Sequence, residues 1–427
     1  MTVEIITIGD ELLIGQVLDT NSAWMAKLLN DNGFQVIRKV SVGDEADEII
    51  KAIDNACKRA PIVLITGGLG PTKDDITLKT LCNYFDCSLH FSEEVYANIE
   101  HLFLQNGRVM NELTRNQAMV PDKATVIRNA LGTAPSTWFN RDGGIVVSMP
   151  GVPYEMKWLM TNEIVPRLKE RFHQDIYIKH RTCWVTGYSE SALAIELTDF
   201  ENNMPSFVKL AYLPQSGIIR LRLSAYINDE KKAEETVFSL QMQLKKILAD
   251  HIIAEEDKSI EILVGEKLRS KGATVGTAES CTGGAIASLL TSVSGSSDYY
   301  IGSIISYAND VKRNILGVSE SDISQYGAVS QQVVEHMAQG ALKALQCDFA
   351  ISTSGVAGPG GGTPAKPVGT IWIAVANKEK VISKEYHFTS QRELNIQRTV
   401  NTSLLMLLEF INKERVTIQS YPCQNGK

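Results

Sequence analysis

Two serines, a tyrosine and a lysine are spaced in the last third of the chain so that they could form a hydrolase site. Ser280 follows an apolar run at 273–276 that predicts a strand, and residues 286–293 carry apolar side chains at helical spacing. A serine between a strand and a helix lies near free backbone N–H groups and the positive end of the helix dipole. That environment would stabilise an alkoxide and the oxyanion formed on an attacked carbonyl. A plain helix cap is the alternative, and it is the commoner use of such a serine.

Lys312 is the candidate base for this serine. A lysine can accept a hydroxyl proton only if burial or nearby positive charge lowers its pKa. Tyr307, at the end of the preceding strand, could relay the proton or orient the amine, and Ser297 lies in a Gly-Ser-Ser turn. Spacing does not decide between Ser280 and Ser297 as nucleophile, although the helix-terminal position favours Ser280. A solvated lysine and a packing tyrosine are the ordinary alternatives, and no histidine lies nearby in sequence to complete a Ser-His-Asp triad.

A Gly/Pro-dense run at 352–370, flanked by two predicted strands, favours a substrate loop over an idle linker. Such a loop could hold a phosphate or a ribose through its backbone N–H groups. Arg392, before the last helix, could clamp a phosphate or be a plain surface arginine. The candidate substrate-binding residues of this half are Thr282, Gly283, Ser354, Gly355, Gly358 and Arg392.

A second candidate site is the loop Thr-Gly-Gly-Leu-Gly-Pro-Thr-Lys-Asp-Asp at 66–75. Glycines let the backbone approach a phosphate, and the N-terminus of the following helix favours an anion. Asp74 and Asp75 suit a divalent cation that bridges to a phosphate, and Asp10 could add an oxygen ligand. A tight turn with acidic capping residues is the alternative. The candidate binding residues here are Gly67, Gly68, Gly70 and Arg115, and the candidate metal ligands are Asp74, Asp75 and Asp10.

The elements that must position these residues alternate between strand and helix, which predicts an α/β protein. Four segments are expected: an N-terminal parallel-sheet domain at 1–172, a small connector at 173–255, a C-terminal domain with a mixed sheet at 256–415, and a tail at 416–427. The connector has a β-α-β-β-α pattern that predicts a two-layer α+β module. In parallel sheets ligands collect beyond the carboxyl ends of the strands, where both candidate loops fall.

Composition restricts the possible partners. The chain has 427 residues and a net charge of −7, which gives no bulk support to a nucleic-acid or anionic-membrane role. No apolar run reaches transmembrane length, and the first residues predict a strand rather than a signal peptide. The seven cysteines are scattered and form no CxxC, which indicates a reducing cytoplasm rather than disulfides or zinc.

The N-terminal segment resembles the molybdopterin-binding domain of the MoaB/MoeA type, in the form found at the start of CinA proteins. The matching segments are ITIGDELLIGQVLDTNS at 6–22, TGGLGPTKDD at 66–75, NELTRNQAM at 111–119, NALGTAP at 129–135 and MPGVPY at 149–154. The resemblance implies an ADP-ribose pyrophosphatase with a divalent metal held near Asp74 and Asp75. The connector is similar to the KH-like module of CinA proteins but lacks the GxxG loop that grips RNA, so no direct nucleic-acid binding is expected.

The C-terminal segment resembles the CinA C-terminal domain, the nicotinamide mononucleotide deamidase (PncC) family. The matching segments are AESCTGG at 278–284, SGSS at 294–297, the Tyr-x-Asn-x-x-Lys spacing at 307–312, GAVS at 327–330, SGVAGPGGG at 354–362 and KPVGT at 366–370. The resemblance implies a serine/lysine amidohydrolase, without a cofactor, whose apparatus falls on Ser280, Ser297, Tyr307 and Lys312.

Together the two resemblances imply a cytoplasmic, bifunctional hydrolase of pyridine-nucleotide salvage that acts on small nucleotides and forms a homodimer. The alternatives are a molybdopterin- or nucleotide-binding protein without turnover, and a competence-related interaction protein. Nothing in the spacing of the residues separates a binding pocket from a catalytic one.

Overall fold

The computed structural model describes residues 1–105, 107, 109–172, 176–215 and 217–413. The chain forms two compact units, residues 1–180 with 224–237, and residues 181–223 with the chain from 238 onward. The predicted tail at 416–427 and residue 173, the predicted start of the connector, lie outside the described residues. Among the described helices none is both long and apolar enough to cross a bilayer.

The strands of the described residues are β1 Thr2–Ile8, β2 Gln35–Val42, β3 Ile62–Thr66, β4 Leu89–Phe91, β5 Met119–Pro121, β6 Ala124–Ile127, β7 Ser136–Arg141, β8 Gly144–Met149, β9 Tyr177–Val185, β10 Val208–Gln215, β11 Ile218–Ile227, β12 Ile252–Ala254, β13 Val275–Glu279, β14 Tyr300–Ile305, β15 Phe349–Gly355, β16 Thr370–Ala376 and β17 Val381–His387. The α-helices are α1 Asp10–Leu13, α2 Thr20–Asp31, α3 Ala46–Arg59, α4 Thr77–Tyr84, α5 Glu93–Gln105, α6 Glu112–Asn116, α7 Pro153–Leu159, α8 Val165–Arg171, α9 Glu190–Glu196, α10 Thr198–Asn202, α11 Glu230–Leu248, α12 Ile260–Lys271, α13 Ala285–Thr291, α14 Asn309–Asn314, α15 Glu320–Tyr326, α16 Gln331–Leu345 and α17 Arg392–Lys413.

The N-terminal sheet has the strand order β2-β1-β3-β8-β7-β6. Strands β2, β1, β3 and β8 pair in parallel, as predicted, but β8 pairs antiparallel with β7 and β7 antiparallel with the edge strand β6. The expected parallel sheet is therefore mixed. The reason is the length of the connections, because β6, β7 and β8 follow one another without an intervening helix and a parallel crossover needs about a dozen residues or more.

Helices cover both faces of this sheet, so its central strands are apolar on both sides. Every residue of β3 and β8 is buried. Along β1 the side chains alternate between two cores: Val3 and Ile5 pack with α2 and α7, whereas Ile6 and Ile8 pack with α3. Strands β1 and β3 end directly before the segments that contain Asp10 and the Gly-rich loop.

The connector contains a sheet with the order β10-β11-β9-β12. Its elements follow the predicted β-α-β-β-α pattern, with a second short helix, α10, added after α9 and the short strand β12 added after α11. Leu221, Leu223 and Ala225 of β11 and Val237 and Leu244 of α11 are fully buried, as the alternation along β11 and the helical spacing along α11 require.

The C-terminal sheet has the order β14-β13-β15-β16-β17, with β14, β13 and β15 parallel and β16 and β17 antiparallel. This is the mixed sheet predicted from the sequence. Helix α16 packs on one face, and α12 and α17 pack on the other. The carboxyl ends of β13, β14 and β15 meet at one edge, so the segments that follow Glu279, Ile305 and Gly355 converge there.

Candidate active site

Lys312 and Ser280 meet at the carboxyl edge of the C-terminal sheet. Ser280 directly follows β13, and Lys312 lies on α14, which follows the neighbouring strand β14. The distance between Lys312 Nζ and Ser280 Oγ is 3.1 Å, and the lysine side chain is almost completely buried. A serine and a lysine 32 residues apart in sequence are thus in hydrogen-bond contact, because parallel pairing of β13 with β14 brings their carboxyl ends side by side.

The Lys312 amine has one hydroxyl and two backbone carbonyls around it. It donates to the carbonyl oxygens of Ser306 at 2.7 Å and Tyr307 at 3.3 Å, and to Ser280 Oγ. An ammonium group has three donors, and all three are satisfied in this way. A neutral amine keeps two N–H bonds for the carbonyls and directs its lone pair at Ser280, whose hydroxyl then donates. The same two carbonyls and the Ser280 hydroxyl can therefore hold the amine both before and after a proton transfer from Ser280.

Burial lowers the pKa of Lys312, because the charged form loses its hydration. No carboxylate of the described residues lies within ion-pair distance to reverse this effect. The neighbouring Cys281 thiol would stabilise the ammonium if it ionised, but its own burial raises the pKa of Cys281 to about 12. Near neutrality the thiol is uncharged, so the lowered pKa of Lys312 stands and the amine is suited to act as a base.

The expected free N–H groups at the start of helix α13 are not available to Ser280. The carboxylate of Glu279 accepts hydrogen bonds from the backbone N–H groups of Gly284, Ile286 and Ala287, at 2.9, 3.1 and 2.9 Å. The sequence-based expectation that these groups stabilise an oxyanion is wrong, because a buried carboxylate already occupies the helix N-terminus. Ser280 is not the helix cap either, since α13 begins only at Ala285.

The structure does not bring Ser297 to this pair. Ser297 is exposed, in a 3₁₀ turn before β14, and Tyr300 at the start of β14 pairs with Val275 at the start of β13. Ser280 follows the other end of β13, and five strand residues span roughly 16 Å. Ser297 therefore lies at the amino edge of the sheet within this chain, and the prediction that it shares a site with Lys312 is not met.

Tyr307 and Arg392 contact each other, and Arg392 also contacts the Gly/Pro-dense loop at Gly358. Arg392 donates to the hydroxyl of Tyr307 at 3.3 Å and to the carbonyl oxygen of Gly358 at 3.0 Å. The Tyr307 hydroxyl does not contact Lys312; only the Tyr307 carbonyl does. The predicted proton relay through the phenol is therefore absent, and the exposed Tyr307 ring is placed with Arg392 to contact a ligand.

The remaining predicted contacts of this half lie at the same edge, but their side chains bond within the protein. The Thr282 hydroxyl bonds the Thr353 hydroxyl at 2.9 Å, and Ser354 Oγ donates to the Ala328 carbonyl at 2.6 Å. Gly283 has a φ of 61°, in the left-handed region that favours glycine. Gly355 ends β15, where a Cβ would lie 2.3 Å from Ile371. The hydroxyls of Thr282 and Ser354 thus shape the loops rather than project towards a ligand.

In the N-terminal domain the Gly-rich loop lies between two cavities of about 420 and 380 Å³. Asp75 closes the loop: one carboxylate oxygen accepts from the Gly70 N–H at 2.8 Å, and the other from the Thr72 N–H at 2.9 Å and the Thr72 hydroxyl. Asp75 is therefore a loop-building residue, and both its oxygens are already engaged.

Close packing is one reason why the loop at 66–75 needs glycine at positions 67 and 68. A Cβ on Gly67 would lie 2.1 Å from the carbonyl oxygen of Ile8, and one on Gly68 would lie 2.2 Å from Thr77 Oγ1. Both residues also have positive φ, 113° and 63°. The glycines thus let β1, the loop and α4 approach one another, and the two cavities, rather than the glycines, indicate a ligand site.

The predicted metal ligands are not assembled in this structure. Asp10 and Asp44 each accept a hydrogen bond from the other's backbone N–H, at 3.1 and 3.0 Å, and Asp74 is exposed. Burial, with the nearby charges of Asp10, Glu11 and Asp74, raises the pKa of Asp44. Nowhere in the described ranges do three or more His, Cys, Asp or Glu side chains converge as a metal-ion ligand set. The donor set of Asp74, Asp75 and Asp10 does not fit a divalent ion as arranged.

Arg115 also lies away from the Gly-rich loop. Its guanidinium packs over the rings of Phe91, at 5.6 Å from the ring centroid, and Tyr96, at 5.9 Å. It lines neither of the two cavities. The predicted phosphate contact is therefore replaced by stacking against aromatic rings.

Two buried polar atoms near the Gly-rich loop at 66–75 were not singled out by the sequence analysis. Asn21 Oδ1 and Thr77 Oγ1 have no hydrogen-bond partner among the described residues. Asn21 lines the larger cavity, and Thr77 Oγ1 lies behind Gly68 at the start of α4. Glu155, buried beside Asn129, lines the same cavity, and burial raises its pKa. Thr20-Asn21-Ser22 resembles an ordinary helix cap, so its composition carried no signal for a ligand.

Comparison with known proteins gives a continuous set of matches. Family models match residues 4–170 (probable molybdopterin binding domain), 180–254 (damage-inducible protein CinA KH domain) and 257–411 (CinA C-terminal domain). The CinA-like protein of Flavobacterium psychrophilum is 44% identical over 416 residues, 97% of this chain and 99% of that protein. That of Cytophaga hutchinsonii is 42% identical over 414 residues, 96% of this chain and 97% of that protein.

A solved structure of the competence/damage inducible protein from Agrobacterium tumefaciens is 39% identical and has a TM-score of 0.35, covering 36% of this chain and 96% of that chain. The predicted organisation is confirmed by the family models: a MoaB-like N-terminal domain, a KH-like connector and a CinA C-terminal domain. With full-length relatives above 40% identity, the chain belongs to the CinA family.

Proposed function

We propose that the C-terminal domain hydrolyses the carboxamide of nicotinamide mononucleotide to the acid and ammonia, as a step of pyridine-nucleotide salvage. The observation that carries the proposal is the buried Lys312 amine, 3.1 Å from Ser280 Oγ. The substrate comes from the resemblance of this domain to nicotinamide mononucleotide deamidases. The chemistry is argued from the geometry, because a buried amine with a lowered pKa can activate the serine beside it as a nucleophile.

In the first half of the reaction, Lys312 takes the Ser280 proton as Oγ attacks the carboxamide carbon. The resulting tetrahedral intermediate carries an oxyanion. The backbone N–H of Thr282 has no acceptor among the described residues, and it supplies a donor for that oxyanion. The Lys312 ammonium then protonates the leaving nitrogen, ammonia departs and an ester remains on Ser280.

In the second half, Lys312 takes a proton from water, and the resulting hydroxide attacks the ester carbonyl. The ester bond breaks, the carboxylic acid leaves, and the proton returns from Lys312 to Ser280. One amide and one water have become one acid and one ammonia. The carbonyls of Ser306 and Tyr307 hold the amine in place through both halves, so no rotation of the lysine is needed.

The phosphate and ribose of the substrate are bound by Arg392, Tyr307 and the loop around Gly358. The Arg392 guanidinium already contacts the other two groups, so it is held in one orientation before a ligand arrives. This arrangement explains why the Tyr307 hydroxyl lies on the arginine instead of on the lysine.

The test is ammonia and acid formation from nicotinamide mononucleotide by the purified full chain. Wild type is expected to turn over. Ser280→Ala is expected to fall by about 10³-fold or more, since the covalent route is lost. Ser297→Ala is the matched control, because Ser297 lies at the opposite edge of the sheet, and it is expected to stay within about twofold. Full activity of Ser280→Ala, or loss in Ser297→Ala alone, would contradict the proposal.

The N-terminal domain is proposed to bind and cleave ADP-ribose, with its pyrophosphate at the Gly-rich loop. The two cavities beside the loop, and the unpartnered Asn21 Oδ1 at the wall of the larger one, support a polar ligand there. Release of AMP from ADP-ribose, measured with added Mg²⁺ or Mn²⁺ and with a chelator, tests turnover and metal dependence together. Calorimetric binding without product would instead support the rival function, a nucleotide- or molybdopterin-binding domain without turnover.

Family resemblance extends this proposal to a homodimer in the cytoplasm. The mass of the purified chain by light scattering tests the dimer. A competence-related interaction protein without turnover is the second rival, and it is supported if neither substrate is converted by any preparation of the full chain.

A further inference from the structure

Glu279, the residue before Ser280, is fully buried and accepts hydrogen bonds with both carboxylate oxygens. Three come from the backbone N–H groups of Gly284, Ile286 and Ala287, and a fourth comes from the Thr277 hydroxyl at 3.2 Å. Every donor around this carboxylate is neutral. A buried charge without a counter-ion is costly unless such bonds replace its hydration, so the carboxylate and the N–H groups strongly constrain one another.

The bonds of Glu279 span Ser280. The carboxylate belongs to the residue before the serine, and it accepts hydrogen bonds from backbone N–H groups five to eight residues further along the chain. The intervening turn contains Gly283 and Gly284, which have φ values of 61° and 101°. Two consecutive glycines give a turn little stiffness of its own. The Ser280 N–H donates to the carbonyl of Thr353 on the neighbouring strand β15, at 3.0 Å. The Ser280 carbonyl also accepts from the Gly283 N–H at 3.2 Å, so Ser280 is held by β15 on one side and by the turn that the Glu279 carboxylate anchors on the other.

The same residue is linked to the base. The Glu279 carbonyl accepts from the Ser306 N–H at 2.8 Å, and the Ser306 carbonyl accepts from Lys312 Nζ at 2.7 Å. Glu279 therefore connects the segment that carries the hydroxyl with the segment that carries the amine. A plain helix cap would need only the carboxylate and the first turn of α13. Here the cap is the immediate neighbour of the reacting group.

We propose that Glu279 is a positioning residue that holds Ser280 Oγ within proton-transfer distance of Lys312 by pinning the glycine turn to the start of α13. The inference rests on the proposed function of the Ser280–Lys312 site. It assigns no proton transfer to Glu279 itself. The expected consequence of losing the carboxylate is a slower reaction of Ser280 with an unchanged affinity for substrate, because Arg392 and the loop at Gly358 lie on other segments.

The experiment compares Glu279→Gln with wild type and with Asp348→Asn in the full chain. Asp348 is a matched control: its carboxylate also accepts from a backbone N–H and a hydroxyl, both of Thr274, but next to the start of β13 and β15 rather than at the Ser280 end of these strands. Two rates are measured, kcat for nicotinamide mononucleotide and the second-order labelling of Ser280 by a fluorophosphonate, which needs no nucleotide. Folded fraction and melting temperature are recorded for each variant.

For Glu279→Gln, both rates are expected to fall about 10- to 100-fold per folded molecule, with KM within about twofold. Asp348→Asn is expected to keep both rates within about twofold, and both rates are compared per folded molecule because Asp348 is more exposed than Glu279. If Glu279→Gln folds poorly, Glu279→Asp, which keeps the charge but shortens the reach, is expected to show a smaller loss in both rates. Unchanged rates in a folded Glu279 variant, or equal losses in Asp348→Asn, would overturn the inference.

The labelling rate separates this inference from the proposed function. If wild type does not convert the nucleotide but Ser280 is labelled, and the labelling depends on Glu279, the positioning role holds and the substrate assignment fails. If Ser280 of wild type is neither labelled nor active, both proposals fail.

Discussion

At the carboxyl edge of the C-terminal sheet, Lys312 is buried among two carbonyls and one hydroxyl, with an amine that can gain or lose a proton without moving. At the corresponding edge of the N-terminal sheet, Asp75 bonds only to N–H and hydroxyl groups of its own loop. Both residues belong to motifs that suggest chemistry. Their burial and hydrogen-bond partners differ: the Lys312 amine faces a hydroxyl with which it can exchange a proton, whereas the Asp75 carboxylate stabilises its own loop.

The difference teaches that a polar residue in a motif has to be judged by its free bonding capacity. The Lys312 lone pair, once the proton is lost, has a hydroxyl to act on, whereas both Asp75 oxygens already accept hydrogen bonds from the loop. Beside the loop, Asn21 Oδ1 and Thr77 Oγ1 are buried polar atoms without a hydrogen-bond partner among the described residues. Neither belongs to the acidic pair that the loop sequence emphasises.

Replacing Lys312 should cause the largest loss of activity. Lys312→Met keeps the length of the side chain but removes the base, and deamidation is expected to fall by about 10³-fold or more. Lys312→Arg is expected to be equally inactive, since a guanidinium stays charged. Initial rates of ammonia release measure both variants, and the exposed Lys343→Met serves as control. Substantial activity in Lys312→Arg would show that the residue supplies charge rather than a lone pair.

The second-largest effect should be the dependence of kcat/KM and of folding stability on pH. Because burial lowers the pKa of Lys312, the neutral base forms below the ordinary pKa of lysine, and kcat/KM is expected to rise about tenfold per pH unit below the folded-state value and then level off. Folding stability has the same sign: the unfolded chain binds the proton more tightly, so burial of Lys312 costs stability as pH falls below 10.5, and the cost is complete below the folded-state pKa.

A pH–rate profile of wild type measures the first effect. Urea unfolding of wild type and Lys312→Met across the same pH range measures the second. A rate profile that keeps rising until the pKa of an exposed lysine is reached would contradict the lowered pKa of Lys312, and a profile that is flat throughout would contradict its assignment as base.

Loss of the arginine should have a moderate effect. Arg392→Lys keeps a positive charge but cannot contact the Tyr307 hydroxyl and the Gly358 carbonyl together, so KM for nicotinamide mononucleotide is expected to rise about tenfold with kcat little changed. Steady-state kinetics give the two constants separately. A fall in kcat at constant KM would place Arg392 with the reacting atoms instead of the phosphate.

In the N-terminal domain, Asp75→Ala should act on structure and Asp74→Ala should not. Asp75→Ala removes the acceptor of the Gly70 and Thr72 N–H groups, at a cost of roughly 1 kcal/mol to that unit, because these exposed groups can bond water instead. Asp74→Ala, at an exposed position, is expected to stay within about 0.5 kcal/mol. Chemical denaturation of each variant measures the difference, and ammonia release serves as the internal control. Equal stability of the two variants would remove the framework role of Asp75.

Much of the C-terminal site could be predicted, because Ser280 and Lys312 follow neighbouring strands and parallel strands end at the same edge. Ser297 could not be placed in this way. It precedes the strand that Lys312 follows, and only the register of β13 against β14 shows that it lies at the other edge. The role of Glu279 was also out of reach, since its partners are backbone groups that have no signature in the sequence.

The sequence by itself determined the family, the α/β class, the order of the three domains and the segments in which the polar residues lie, because hydrophobic periodicity and local motifs encode these features directly. Only the tertiary structure decided which of those residues have free bonding capacity. That property depends on the groups brought near by strand pairing and burial: two carbonyls at the Lys312 amine, an arginine at the Tyr307 hydroxyl, and loop N–H groups at the Asp75 carboxylate.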